Sequence, residues 1–232
     1  MPMKAWLEAA LLTRPPKLLH ALLPGCQWTG PAASGGVPVL YLTFDDGPIP
    51  EETPWVLEQL AAHQAKATFF CVGDNVARYP DIARAALAAG HRLGNHTQHH
   101  RSAWATGRAE YLADVARCQQ TLAAVQAEQI GDSLQSAGSE RKPLFRPPYG
   151  RLTWPIISAL GTDFRIVMWS VLTRDYDPSL SPENCLRYAL AAVRPGDVLV
   201  FHDSRKANAR MRFVLPRLLA HFAEKGFQFE TL

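Results

Sequence analysis

The sequence predicts a single α/β domain, a sheet or barrel built from repeated strand–helix units. Three observations carry that prediction. Short β-branched or aromatic runs alternate with segments of helical period, and Gly or Pro punctuates many of the junctions between them. The 232 residues are enough to bury one sizeable core. With 47% hydrophobic and 19% charged residues, the composition is that of a globular chain. No repeat or low-complexity tract breaks the alternation.

Taken in order, residues 4–25 read as a short amphipathic segment with Trp6, Leu7, Leu11, Leu18, Leu19 and Leu22 on its apolar side. It is expected to pack on the domain, so residues 1–37 form an N-terminal segment that packs on or extends a domain of residues 38–232. Residues 39–44 are the first strand, followed by a helix over 54–63. Residues 67–71 (Ala-Thr-Phe-Phe-Cys) make a second strand. An alanine-rich helix over 81–89 stops at Gly90, and a short strand spans 91–95. Helical spacing of Leu112, Val115, Leu122 and Val125 marks a helix over 110–126. Residues 131–142, rich in Ser, Gly and charge, read as a mobile loop. A strand over 143–145 enters Arg146-Pro147-Pro148-Tyr149-Gly150, then a helix over 154–160 and a strand over 164–169 follow. A helix over 182–193 ends at Pro195-Gly196, and a strand over 198–201 runs into His202. A helix over 210–222 carries Pro216, and a last strand spans 227–230.

Composition excludes several function classes. The formal charge is +3, from 24 basic and 21 acidic residues, an excess too small and scattered for nucleic acid. No stretch approaches the roughly 20 apolar residues of a membrane span. Cys26, Cys71, Cys118 and Cys185 lie far apart without a C-x-x-C pair, which removes zinc-finger and redox readings; reduced thiols are expected, and a disulfide stays open. No signal peptide is visible because Glu8 interrupts a short apolar start, so a cytoplasmic location is expected, with peripheral membrane association or export left open.

The chemistry concentrates at strand ends. Asp45 and Asp46 close the first strand and are followed by Gly47-Pro48, through which a strand cannot continue. Adjacent carboxylates repel, and successive strand side chains diverge, so the two acids are free to take different tasks. After the third strand comes His96-Thr97-Gln98-His99-His100. Histidines four apart lie close enough to share a metal, which selects His96 and His100 and leaves His99 aside. With a strand-end aspartate they make a two-histidine, one-carboxylate set of the kind that holds catalytic zinc.

Five motifs in order resemble the polysaccharide deacetylases of carbohydrate esterase family four, the NodB-homology domain. They are Thr43-Phe44-Asp45-Asp46-Gly47-Pro48, His96-Thr97-x-x-His100, Arg146-Pro147-Pro148-Tyr149-Gly150, the region from Trp169 to Asp177, and Val200-Phe201-His202. The resemblance implies a distorted (β/α) barrel of seven or eight strands with its site at the C-terminal strand ends. It implies Asp45 as general base toward a metal-bound water, Asp46, His96 and His100 as metal ligands, and His202 as general acid. Arg146 would hold the base, Asp175 would tune the acid (with Asp177 as its rival), and the Tyr149 backbone N–H would stabilise an oxyanion. Zinc is the default metal, and cobalt or nickel suit the same donors.

The implied reaction is metal-dependent removal of acetyl groups from an N- or O-acetylated oligo- or polysaccharide by a monomeric enzyme. A non-sugar amide as substrate, or a non-catalytic glycan- or metal-binding domain, are the competing readings. Three departures bear on substrate: Tyr176 stands where the family often has tryptophan, Leu172 where it has an aspartate, and Val200 where it has leucine.

Overall fold

A computed structural model of the chain describes residues 13–130 and 142–232. The first half forms α1 (Lys17–Leu22), β1 (Cys26–Gln27), β2 (Ala33–Ser34), β3 (Val37–Asp45), α2 (Glu52–Ala62), β4 (Ala67–Cys71), α3 (Gly73–Arg78), α4 (Pro80–Ala88), β5 (Arg92–Asn95) and α5 (Arg108–Ile130). The second half forms β6 (Leu144–Phe145), a 3-10 turn (Pro148–Gly150), α6 (Trp154–Leu160), β7 (Arg165–Val167), β8 (Val171–Leu172), α7 (Pro182–Ala192), β9 (Val198–His202), α8 (Asn208–Glu224) and β10 (Gln228–Phe229). Eight strands pair in parallel in the order β1-β7-β6-β5-β4-β3-β9-β8. The sheet curls into a half-barrel of the distorted (β/α) type, with β2 and β10 added to β3.

β3 is the axis of the molecule. From Val39 to Asp45 every residue is buried, which is why this strand reads as an apolar run rather than an alternation. Its two faces go to different cores. Leu40, Leu42 and Phe44 pack in the cluster that holds Val214, Leu215 and Leu218 of α8. Val39 and Tyr41 join Phe70, Leu144, Val167 and Val198 inside the curl. Strand side chains alternate, so this parity carries Thr43 and Asp45 to the inside as well. The same parity sends Val198, Val200 and His202 of β9 inward while Leu199 and Phe201 face the helices. Asp45 is therefore the open end of an otherwise apolar inner column.

Register then levels the strand ends. Asp45 pairs with His202 of β9 and with Phe70 of β4, and Asn95 at the end of β5 pairs with Phe145 of β6. The next residues, Asp46, His96 and Arg146, leave their strands along one edge. Parallel strands expose their C-terminal ends together, so one edge collects all of them.

Several expectations change. The strand over 164–169 shortens to β7, because the chain then turns toward β9, where the Ser170 N–H donates to Val198 O (3.1 Å), and continues as β8. β1, β2, β8 and α3 had no counterpart in the sequence reading. The apolar side expected to pack on the domain does not do so within α1: Leu18, Leu19 and Leu22 are exposed, and α1 buries no residue. What ties this region down is Arg14, whose guanidinium grips Asp197 at 2.7 and 3.1 Å, and the stacking of His20 on Trp28. Trp6, Leu7 and Leu11, and the loop expected over 131–142 except its last residue, lie outside the described residues. All four cysteines are free thiols. No helix among the described residues is long and apolar enough to cross a membrane.

Candidate active site

Arg146 organises the inner face. It is fully buried, and each of its three guanidinium nitrogens has a partner. Nη1 donates to Asp45 Oδ1 at 2.7 Å and to Thr43 Oγ1 at 2.6 Å. Nη2 donates to Met168 O at 2.9 Å and Nε to Val167 O at 3.3 Å, with the guanidinium 4.1 Å above the Phe70 ring. Burial lowers the arginine pKa, and the Asp45 carboxylate opposes that shift. A buried charge is tolerated only when paired and hydrogen-bonded in this manner. Asp45 is thereby held in one orientation.

Asp46 goes elsewhere. Its φ of 85° turns the chain out of the strand, and Asn75 Nδ2 donates to its carbonyl at 2.8 Å. Its carboxylate meets two imidazoles: Oδ1 is 3.3 Å from His100 Nε2 and 3.9 Å from His96 Nε2. Burial alone would raise the Asp46 pKa, but the hydrogen bond to His100 and the fields of His202, His96 and His100 hold it well below the usual carboxylate range. His96 is buried, and its Nδ1–H donates to Arg146 O (2.8 Å), which leaves Nε2 for the cluster. Desolvation pulls its pKa down to about 4 against the pull of Asp45, so it stands as a neutral imidazole.

One ligand atom from each of Asp46, His96 and His100 fits within a 4.8 Å group. The two histidines do not share a helical face. Thr97 (φ 62°) and His100 (φ 54°) are left-handed, so a tight loop brings their rings to 5.1 Å. His99 points away and is bound through its N–H and ring to Asp114, and so takes no part.

Across the cavity, His202 Nδ1 lies 2.7 Å from Asp175 Oδ1, and the His202 N–H donates to Asp175 Oδ2 at 2.8 Å. Burial would lower the His202 pKa, but the fully buried Asp175 carboxylate overrides it and raises the value to about 9. Asp177 is occupied with Arg174 (2.6 Å) and Ser179, so Asp175 is the acid beside His202.

These groups open on a cavity of about 490 Å³. Its apolar wall comes from Trp169, Leu172 and Val200, and its aromatic rims from Tyr149, 4.7 Å from the His100 ring, and Tyr176, 5.0 Å from the His202 ring. The three departures noted in the sequence all line this space. Gly150 (φ 64°) is required where it stands, since a Cβ there would lie 2.4 Å from the Trp169 ring.

One contributing residue escaped the sequence reading. Asp203 is fully buried behind the site, accepting from Gly47 N–H (3.0 Å) and the Thr53 hydroxyl (2.5 Å), while its own N–H donates to Asp45 O (3.2 Å). It clasps the Asp45-Asp46-Gly47 turn, and a Cβ at Gly47 would meet its carboxylate at 2.0 Å. Burial raises its pKa to about 8. The signal available in advance was weak: an acid directly after His202 and a glycine directly after the pair.

Comparisons with known proteins bear on the family and the fold. Residues 32–162 match the family model described as polysaccharide deacetylase. A chitooligosaccharide deacetylase of Sinorhizobium fredii is 34% identical over 88% of this chain and 94% of its own length. A peptidoglycan-N-acetylglucosamine deacetylase of Bacillus cereus is 33% identical over 82% of this chain and 66% of its own. Among solved structures, a peptidoglycan N-acetylglucosamine deacetylase in complex with 4-naphthalen-1-yl-N-oxidanyl-benzamide superposes with a TM-score of 0.78 at 28% identity, over 93% of this chain and 94% of that one. With the matched region, the half-barrel and the strand-edge motifs in agreement, the chain belongs to the polysaccharide deacetylase family.

Proposed function

We propose that this chain hydrolyses the acetamide of an N-acetylated glycan, releasing acetate and a free amine. The observation that carries the reading is the division within one cavity: a three-donor cluster at Asp46, His96 and His100, a carboxylate gripped by Arg146, and a histidine raised by Asp175. The cluster fits a divalent ion, since a carboxylate beside a neutral imidazole is a donor set for zinc, cobalt or nickel. Bound there, such an ion polarises a carbonyl and lowers the pKa of water toward about 7.

The chain's own groups supply the remaining steps. Asp45, oriented by Arg146, takes a proton from the attacking water. The tetrahedral oxyanion then meets the main-chain N–H of Tyr149 in a cavity that Trp169, Leu172 and Val200 keep poor in water. His202 enters as imidazolium and gives its proton to the nitrogen as the C–N bond breaks, because an amine leaves only when protonated. Asp175 holds that proton on His202 until it is needed and fixes the ring through Nδ1.

The test is acetate release from N-acetylated chitooligosaccharides and peptidoglycan fragments, with small amides as controls, before and after chelation and metal replacement. Chelator-sensitive acetate release from the sugars is expected. Release that survives chelation, or full activity in Asp45→Asn, would overturn the mechanism.

A further inference from the structure

Residues 204–217 carry five basic side chains and no acid. Three of the five are spent inside the fold. Arg210 donates through Nε to Asp175 O (2.5 Å) and through Nη2 to Lys206 O (3.1 Å), Arg212 donates to Glu52 (3.1 Å), and Arg217 to Phe213 O (2.9 Å). Arg205 and Lys206 are exposed and have no carboxylate partner among the described residues. Of these two, only Lys206 lines the cavity.

Its place there is defined. The Arg210 bond fixes the Lys206 carbonyl, and Ser204 O closes the turn by accepting from the N–H groups of Ala207 (3.0 Å) and Asn208 (3.1 Å). The Lys206 ammonium stands 5.6 Å from the Tyr176 centroid, and that ring lies 5.0 Å from the His202 ring. One aromatic ring thus separates the charge from the imidazole. Ser204 lines the same cavity, and its hydroxyl has no hydrogen-bond partner among the described residues. Among the described residues, the only acids lining the cavity are Asp45 and Asp46, committed to Arg146 and to the three-donor cluster. Trp169, Val200 and Leu172 (which stands where the family has an aspartate) add no charge. An unpaired ammonium beside apolar walls attracts an anion more strongly than one in bulk water. Its three N–H donors and a neighbouring hydroxyl suit the oxygens of a carboxylate or a phosphate.

We infer that Lys206, assisted by Ser204, binds an anionic group, a carboxylate or a phosphate, carried by the sugar substrate. The inference rests on the proposed function for placing that group on a sugar. It gives the substrate a negative charge on the Tyr176 side of the cavity. Lys206 acts in selection, away from the reacting atoms.

Two measurements test it. The first compares kcat/KM between sugars of equal length that differ in charge: N-acetylglucosamine against its phosphate ester, and diacetylchitobiose against the disaccharide in which one unit carries a lactyl carboxylate. The pair with the larger anionic-over-neutral ratio tells phosphate from carboxylate. That ratio is expected to exceed one in the natural protein, to fall about tenfold in Lys206→Met, to be largely kept in Lys206→Arg, and to shrink as salt is raised. The second is calorimetric binding of the two anionic sugars, which needs no turnover; Lys206→Met is expected to weaken the tighter one by a similar factor. Ratios of one or less for both pairs, or a ratio and an affinity untouched by Lys206→Met, overturn the site even if acetate is released. Absence of anionic-sugar binding in the natural protein overturns it too. Binding that depends on Lys206 without acetate release from any sugar leaves the site standing and overturns the proposed function instead.

Discussion

The two halves of the cavity are finished to different degrees. On the proton-transfer half, each working group is locked to a buried partner of opposite charge: Asp45 to Arg146 and His202 to Asp175, both at 2.7 Å. On the other half, Asp46, His96 and His100 converge without a protein cation among them, and the two imidazoles approach the carboxylate at 3.3 and 3.9 Å. The difference teaches that the fold itself supplies the partners of the first half, whereas the second half is shaped to be completed by an ion. Adjacent carboxylates coexist because each belongs to a different half.

Breaking the locked half should produce the largest effects. His202→Ala removes the acid and is expected to lower kcat by roughly 10²- to 10⁴-fold with ligand affinity retained, read from steady-state kinetics and calorimetry. Arg146→Met leaves Asp45 as an unpaired buried carboxylate; a loss of about 3–5 kcal/mol in urea unfolding is expected, together with loss of turnover. If Arg146→Met were as stable as the natural protein, the buried pair would not be what holds the inner column.

A subtler break targets the proton. In the metal-free protein the His202 imidazole is expected to titrate near pH 9 by NMR, and Asp175→Asn should lower that value, because burial then acts with far less opposition. The sign for stability follows. A histidine raised from 6.5 to about 9 contributes its full stabilisation below pH 6.5 and loses it as pH rises through 9. Metal-free protein should therefore weaken across that window, and Asp175→Asn should weaken less. The smallest effect belongs to Asp177→Asn. This side chain is engaged with Arg174 and Ser179, so the His202 titration should stay in place and stability should change by under about 1 kcal/mol. A shift of His202 in Asp177→Asn instead of Asp175→Asn would reverse the assignment.

Legibility in the sequence followed length and burial. β3, β4 and β9 were readable because four or more consecutive buried residues leave an apolar run. β1, β2, β6 and β8 are two residues each, too short for any period, and only β6 was foreseen, from the motif that follows it. α3 is a six-residue helix, Gly73–Arg78, whose polar composition hides it. Asp45, Asp46, His96, His100, Arg146, Asp175, Tyr149 and His202 were named in advance, and all line the cavity or support those that do. The left-handed turns at Asp46, Thr97 and His100 were not readable, since a non-glycine φ above zero depends on its surroundings, at Asp46 and Thr97 on hydrogen bonds from Asn75 and to Asn95. Asp203 escaped for the same reason: its role depends on a contact between chain segments 150 residues apart.

The claim that the two aspartates have separate tasks is tested most directly by the metal content of two purified variants, measured alongside acetate release. Asp46→Ala is expected to lose the metal, whereas Asp45→Ala should retain it at close to one ion per chain and still fail to turn over. Equal metal loss in both variants, or metal retained in Asp46→Ala, would contradict the division.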